Sequence, residues 1–453
     1  MKLKKILLGV LASSSLLGTS LGWATTGFEK SENNPLLVQE SNIFQNSTSE
    51  EENPQAWNEY LWFKVFAQIY YIAKNFYVEK ISPQKLITNA SKGMLEKLDP
   101  YSDYFTKEEL KEFEEDTYGE FGGIGVEISI DKGRPIVIAP IEGTPAYKAG
   151  LRAGDVIVKI NGEDTYGMSI LDVVKKIRGK PGTEVELTIY RPETEETFTV
   201  KIKRAQIKVN PVKWTIIKPD NIGYIKIVQF QPNTAQQLKK ALEELLSHHV
   251  KGLIIDLRNN PGGLLDQAIK TVDLFLPPDK VVVSIKGRIE KQVYKTSQPS
   301  LVPSNEKIVI LVNKGTASAS EIFSGALQDY HRAILVGEKT FGKFRVQTLI
   351  PLQKGEFGAV KITTAFYYTP KGRMLDKKGI TPDIEVKMTN DEWKKLYETL
   401  REERIKNNIG YNEVVLNRKL DKPLDVAIEV IEGKYHPKEE KEKEKTQAVE
   451  VGK

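Results

Sequence analysis

Residues 307–330 read KIVILVNKGTASASEIFSGALQDY. The first seven form an apolar, β-branched run of the length of a buried strand. KGTA interrupts it as a turn, and SASEIFSGALQDY continues with helical spacing. The flanking segments repeat this pattern. GYIKIVQF (223–230) precedes TAQQLKKALEELLSHH (234–249), GLIIDLR (252–258) runs through NNPGG into LLDQAIKTVDLFL (264–276), and AILVGEK (333–339) follows the helix. Alternation of this kind predicts an α/β sheet core over residues 210–390.

The turn in the quoted stretch also offers chemistry. A serine where a strand turns into a helix projects its hydroxyl from a tight bend. Ser318 occupies that place, and the N–H of Ala319 would leave the helix N-terminus where an oxyanion could form. The competing reading is an N-cap, which Ser318 fits and Ser320 fits well. A nucleophilic serine needs a base. The chain has four histidines, His248, His249, His331 and His436. His331 and Asp329 end the helix that Ser318 begins, roughly 15 Å away at 1.5 Å per residue. A Ser-His hydrolase is therefore disfavoured.

A lysine is the other available base, provided desolvation keeps it neutral. Lys343 lies in GEKTFGKFRVQ (337–347), whose first seven residues fit the G-x-x-x-x-G-K of a phosphate-binding loop. That loop needs Ser or Thr after the lysine and a helix beyond it. Here Phe344 follows, and FRVQTLIPLQ alternates like a strand. Lys343 is thus predicted to start a strand one βα unit after Ser318 and to serve as its base. Residues 343, 345 and 347 would share a strand face, so the Gln347 amide could orient the amine without adding charge.

The rest of the chain is organised around this core. Residues 1–24 place three lysines before a short apolar run ending at Gly22, Trp23 and Ala24. This reads as a secretory leader cleaved after Ala24, or as an uncleaved anchor, and implies export to a periplasm or the extracellular space. Residues 25–55 read as a polar tether. Residues 56–117 carry aromatic and aliphatic residues at helical spacing. Residues 118–209 change to short strands and Gly turns, 391–434 form a C-terminal helical segment, and 435–453 a charged, disordered tail. Three of the five net positive charges lie in the leader, so nothing in the balance supports nucleic-acid binding. With no cysteine in 453 residues, disulfides, thiol nucleophiles and Cys metal sites are excluded. No metal or other cofactor is expected.

FGGIGVEI, GTPAYKAGLRAGDVIVKINGE and IRGKPGT, followed in order by DLRNNPGGLL, TASASEIFSGALQD, GEKTFGKFRVQ and TPKGRMLDKKGITPDIEV, resemble the carboxyl-terminal processing (tail-specific) proteases. The resemblance spans residues 57–388. It implies a multidomain α/β + β fold: an α/β serine protease core with an inserted PDZ domain and N-terminal helices. It implies Ser318 as nucleophile, Lys343 as base and Gln347 as its assistant. Gly263, or else Gly262, would give the second oxyanion N–H beside Ala319. Arg258, Glu321, Asp329 and Thr340 would support the site. Substrates would be proteins or peptides with free C-termini, cleaved near those ends after the PDZ domain captures the tail. Gly123, Ile124, Gly125 and Val126 would cradle the tail carboxylate, or else only make a tight turn. Arg178 would relay capture to the core, or else cap its helix. Homo-oligomers through the N- and C-terminal helices, and an adaptor protein, are family expectations. The family usually has Gly-Lys-Gly where this chain has Lys343-Phe344-Arg345, so Phe344 is expected to narrow the cleft or restrict Lys343. A non-catalytic PDZ scaffold is the rival that this departure leaves open.

Overall fold

The computed structural model describes residues 54–436. The leader, nearly all of the tether and most of the charged tail lie outside the described residues.

Two helices come first, α1 (Pro54–Phe76) and α2 (Pro83–Glu96). The Ser82 hydroxyl accepts the Lys85 N–H at 3.2 Å, and Pro83 sets the first turn of α2. Strand β1 (Asp103–Phe105) and helix α3 (Lys107–Tyr118) follow. A capping box of Thr106 and Glu109 starts α3, and Gly119 ends it in the left-handed region at φ 66°.

The inserted module begins at β2 (Glu120–Gly123) and continues with β3 (Val126–Asp131), β4 (Arg134–Pro140), α4 (Pro145–Lys148), β5 (Val156–Ile160) and β6 (Glu163–Asp164). Helix α5 (Ile170–Ile177) leads into β7 (Glu184–Arg191), β8 (Glu196–Lys203) and β9 (Ala205–Lys208). The entering β2 and leaving β9 pair antiparallel and clasp the two ends of the module, which also meets the helix Asn390–Lys406 and the loop after it through Asp131–Arg401 at 3.5 Å and Glu142–Asn412 at 2.8 Å. Its sheet runs β3-β4-β5-β7-β8, with β6 on β5. β3 has a single neighbour and therefore an open edge. Ile124, Val137, Ile157, Val173, Leu187 and Ile189 fill its own core.

The main domain comprises β10 (Val212–Ile217), β11 (Ile222–Ile227), α6 (Thr234–Ser247), β12 (Leu253–Asp256), α7 (Leu265–Val272), β13 (Val281–Gly287) and β14 (Lys291–Lys295). It continues with β15 (Ile308–Val312), α8 (Ala319–Asp329), β16 (Ile334–Gly337), β17 (Arg345–Pro351), β18 (Ala359–Tyr368), β19 (Ile384–Glu385), α9 (Asn390–Lys406) and α10 (Lys422–Glu432). One sheet has the order β10-β11-β12-β15-β16-β19, with only β10 antiparallel. Its continuous apolar runs have a reason: both faces are covered. Ile308, Ile310 and Val312 pack with Leu238 of α6, Ala268 of α7 and Phe323 of α8, whereas Val309 and Leu311 pack with Leu424 and Ile428 of α10. Each such side chain contributes roughly 1.5–3 kcal/mol on burial. A second, antiparallel sheet is centred on β18, which pairs with β1, β13 and β17. Through β18 the N-terminal region reaches the segment that carries Lys343. That segment differs from expectation, because the strand starts at Arg345 and Lys343 lies in the preceding loop.

Candidate active site

Ser318 links β15 to α8 with φ 55° and ψ −118°, a conformation that L-residues rarely adopt. Holding it costs on the order of 1–3 kcal/mol and requires the surroundings to over-determine it. They do so through Asn260, which is fully buried. Its carbonyl accepts the Ala317 N–H at 3.0 Å and the Ser320 hydroxyl at 3.1 Å. Its side-chain oxygen accepts the Gly262 N–H at 2.9 Å, and its amide donates to the Ile227 carbonyl at 2.9 Å. One residue thereby fixes both the serine turn and the Gly-Gly loop. Gly262 has φ 100°, and a Cβ there would stand 2.8 Å from the Ala319 nitrogen and 2.8 Å from the Ser318 Cβ, so no side chain fits. Among the described residues, neither Gly263 N–H nor Ala319 N–H donates to an acceptor. The Gly262 N–H is consumed by Asn260, which removes Gly262 as the alternative oxyanion donor.

Lys343 is brought to this turn by two buried clamps. One carboxylate oxygen of Glu321 accepts the Ser318 N–H and the Lys343 N–H, each at 2.9 Å. The other accepts the Thr340 hydroxyl at 2.5 Å and the Gly342 N–H at 2.7 Å. Burial raises the Glu321 carboxyl above its usual value, against the pull of these four bonds. The Tyr367 hydroxyl is the second clamp, 2.6 Å from the Lys343 carbonyl and 3.1 Å from that of Ser318. Its ring stacks on Phe344 at 4.4 Å, and both are fully buried. Phe344 therefore belongs to the core and does not narrow the cleft.

The Lys343 amine has no ion pair and no hydrogen-bond acceptor among the described residues; it lies 5.1 Å from the centre of the Tyr101 ring. Burial, and then the like charge of Lys361, lower it from the usual lysine value, while Glu321 and Asp99 pull the other way. Gln347 does not reach it. Its amide donates to the Arg345 carbonyl at 3.3 Å and to Thr363 Oγ1 at 3.4 Å. The pairing of β17 with β18 shifts register between Val346 and Gln347, and there the Gln347 side chain meets Thr363 on the neighbouring strand.

The remaining predicted residues are placed as follows. The Arg258 side chain is buried and bonded to Asp256 and Asp421, each at 2.7 Å, with Trp393 5.5 Å from its guanidinium. Burial pushes the Asp256 carboxyl up, but the charges of Arg258 and Lys226 more than offset this and hold it well below the usual range. Arg258 thus ties α10 to the sheet beside the Gly-Gly loop. Asp329, at the far end of α8, accepts the Lys371 N–H at 2.8 Å and pairs with Arg373 at 2.5 Å. His331 sits beside the Lys371 amine at 3.2 Å, at that same far end. In the inserted module Ile124 is buried and Gly125 has φ 76°, with a Cβ there 2.5 Å from Thr144. The Ile124 and Gly125 carbonyls are occupied by the N–H groups of Ala146 and Ile141, and their own N–H groups donate to no acceptor among the described residues. Gly123 ends β2 and Val126 begins β3. Arg178 ends α5, where its backbone N–H caps the Val174 carbonyl at 2.8 Å, but among the described residues its side chain donates to no carbonyl. It pairs with Asp116 of α3 at 3.2 Å and lies 4.3 Å from the centre of the Phe121 ring. Among the described residues no cluster of His, Asp or Glu could hold a metal ion.

Asn260, Tyr367 and Tyr101 escaped the sequence reading. Asn260 stands inside the quoted RNNPGG motif and could have been found there. The tyrosines lie in remote segments that only the pairing of β1 and β17 with β18 brings near.

The model of peptidase family S41 matches residues 221–386, a PDZ-domain model matches 136–191, and that of the activating protease CtpB N-terminal domain matches 16–109. A carboxy-terminal-processing protease of Bartonella bacilliformis is 42% identical over 358 residues, 78% of this chain and 81% of that protein. A probable CtpA-like serine protease of Staphylococcus aureus is 42% identical over 320 residues, 70% of this chain but 63% of that protein's length. Among solved structures, a putative S41 protease from Bacteroides fragilis shares the fold, with a TM-score of 0.50 at 17% identity over 79% of this chain and 91% of its own. Identity at the level of the Bartonella protein, over so much of both chains, settles the affiliation: this chain belongs to peptidase family S41, the carboxy-terminal-processing proteases.

Proposed function

We propose that Ser318 and Lys343 form the catalytic dyad of this protease. The neutral Lys343 amine takes the proton from the Ser318 hydroxyl as the oxygen adds to the scissile carbonyl. The carbonyl electron pair moves to oxygen, where the N–H groups of Gly263 and Ala319 receive it. The ammonium on Lys343 then protonates the departing amine, and water repeats the cycle on the acyl-serine. The observation that carries this reading is the Glu321 clamp, one oxygen of which accepts both the Ser318 and the Lys343 N–H. Gln347 acts at one remove, through the register of β17 against β18.

The inserted PDZ domain captures the substrate. The open edge of β3 takes an extended peptide as an added strand, and the undonated N–H groups of Ile124 and Gly125 meet its terminal carboxylate. Arg178 relays that capture to the core, a reading supported by its ion pair with Asp116 of α3. Export rests on the sequence of residues 1–24; among the described residues no helix is long and apolar enough to cross a membrane. Self-association fits α1, which exposes Trp62, Phe63, Ile69 and Phe76.

The test replaces each partner. Ser318→Ala and Lys343→Ala should each abolish peptide cleavage in a folded protein, and His331→Ala should keep most of it. Cleavage that survives Lys343→Ala but not His331→Ala overturns the dyad.

A further inference from the structure

Tyr101 belongs neither to the core nor to the PDZ module. It stands in the turn between α2 and β1, in the N-terminal region. That turn is rigidly made: the Asp99 carboxylate accepts the Tyr101 N–H at 2.8 Å, the Ser102 N–H at 3.1 Å and the Ser102 hydroxyl at 3.0 Å. The Ser102 oxygen in turn accepts the Thr363 N–H of β18 at 3.1 Å. β1 continues the attachment, with Asp103 opposite Lys361. The result is an aromatic ring beside the Lys343 amine.

The surroundings give that ring its significance. Four charged groups surround Lys343 and the Tyr101 ring. Glu321 on α8 is occupied by four other donors, and Asp99 by the turn it makes. Lys361 on β18 repels. Arg345, 5.9 Å from the same ring, is neutralised by Asp376 at 2.9 Å. Among the described residues Lys361 has no counter-ion and lies against the Phe105 and Phe113 rings, and Lys343 has none either. A carboxylate paired with it would keep it protonated and useless as a base, whereas a purely apolar wall would make the ammonium too costly to form. An aromatic face lies between, since its quadrupole attracts the cation without fixing the proton.

We propose that Tyr101 is a positioning residue for proteolysis, its ring face holding the ammonium that forms on Lys343 when the Ser318 proton arrives. This rests on Lys343 being the base. It also makes the N-terminal region part of the reaction centre. Burial, followed by the charge of Asp376, raises the phenol above its usual value, so the ring stays neutral throughout.

The experiment uses the full chain with Tyr101→Leu, Tyr101→Phe, and phenylalanines of increasing ring fluorination at 101. The fluorinated rings keep the shape and weaken the negative face. Losing the attraction lowers the Lys343 pKa, so the acid limb of kcat/KM should move to lower pH by about one unit in Tyr101→Leu. It should move stepwise with fluorine number, and Tyr101→Phe should restore the parent position. The Lys343 amine is titrated separately by NMR in a Ser318→Ala background, where no turnover occurs. A limb and an NMR titration that ignore fluorination overturn the proposal, as does Tyr101→Phe behaving like Tyr101→Leu. An NMR titration that moves while the limb stays fixed supports the ring–amine contact and instead removes Lys343 as the base.

Discussion

Glu321→Gln tests the clamp with the least change of shape. The carboxylate serves two pairs of donors, Ser318 and Lys343 N–H on one oxygen, Thr340 hydroxyl and Gly342 N–H on the other. An amide can accept on one side only. With its oxygen toward Thr340, it would orphan the Ser318 and Lys343 N–H groups. With its nitrogen toward Thr340, the amide donates to the hydroxyl oxygen, which already accepts the Ile380 N–H, and the Thr340 O–H and the Gly342 N–H lose their acceptor. The second orientation wins, because in the first the amide nitrogen faces only donors, and each orphan it leaves costs about 1–3 kcal/mol in stability. The Ser318 and Lys343 bonds survive but lose charge assistance. If that weakens them by about 1.4 kcal/mol in total, kcat/KM falls about tenfold. Glu321→Ala releases all four donors and lets the lysine loop drift. A displacement near 1 Å costs about a hundredfold. The sign on pH also follows: Glu321 raises the Lys343 pKa, so removing its charge moves the acid limb of kcat/KM to lower pH. The assay is peptide cleavage across pH, alongside thermal melting. Equal losses in Gln and Ala would show that the charge matters rather than the bonds. Full activity in both would refute the clamp as the device that brings the dyad together.

Three further outcomes are expected. In the parent protein kcat/KM should rise with pH through the depressed Lys343 pKa and then level off, because the proposed base works as the neutral amine; a flat profile from acid to neutral pH contradicts this. One substrate should be cleaved quickly with a free apolar C-terminus and poorly when that end is amidated or replaced by Asp; equal rates would mean that the PDZ module does not read the carboxylate. Asp421→Asn should cost about 3–5 kcal/mol, read by melting, because it strands a charge on the buried Arg258.

The α/β core was legible because its strands are buried on both faces and so read as unbroken apolar runs between amphipathic helices. The serine turn was legible for the same reason: the switch of period at KGTA marks it. The lysine loop was only half legible. Alternation put Lys343 and Gln347 on one face, but the strand begins two residues later and its pairing with β18 shifts register at Gln347, which no periodicity reports. Phe344 looked like an obstruction because its burial against Tyr367 depends on a strand more than twenty residues away. Arg258 and Asp329 were named for the site, yet each acts on the scaffold, Arg258 through the C-terminal helix and Asp329 through the loop at Lys371.

The Arg258 network has a consequence in time. Lys226, Asp256, Arg258 and Asp421 balance two positive charges with two negative ones in a largely buried place. Three of the four are synthesised within a stretch of 33 residues, and the fourth arrives more than 160 residues later. Until Asp421 emerges, the nascent core carries an uncompensated cation immediately before the Gly-Gly loop, and closing the sheet over it is unfavourable. The sheet beside the Gly-Gly loop therefore gains its charge balance only once α10 has been made.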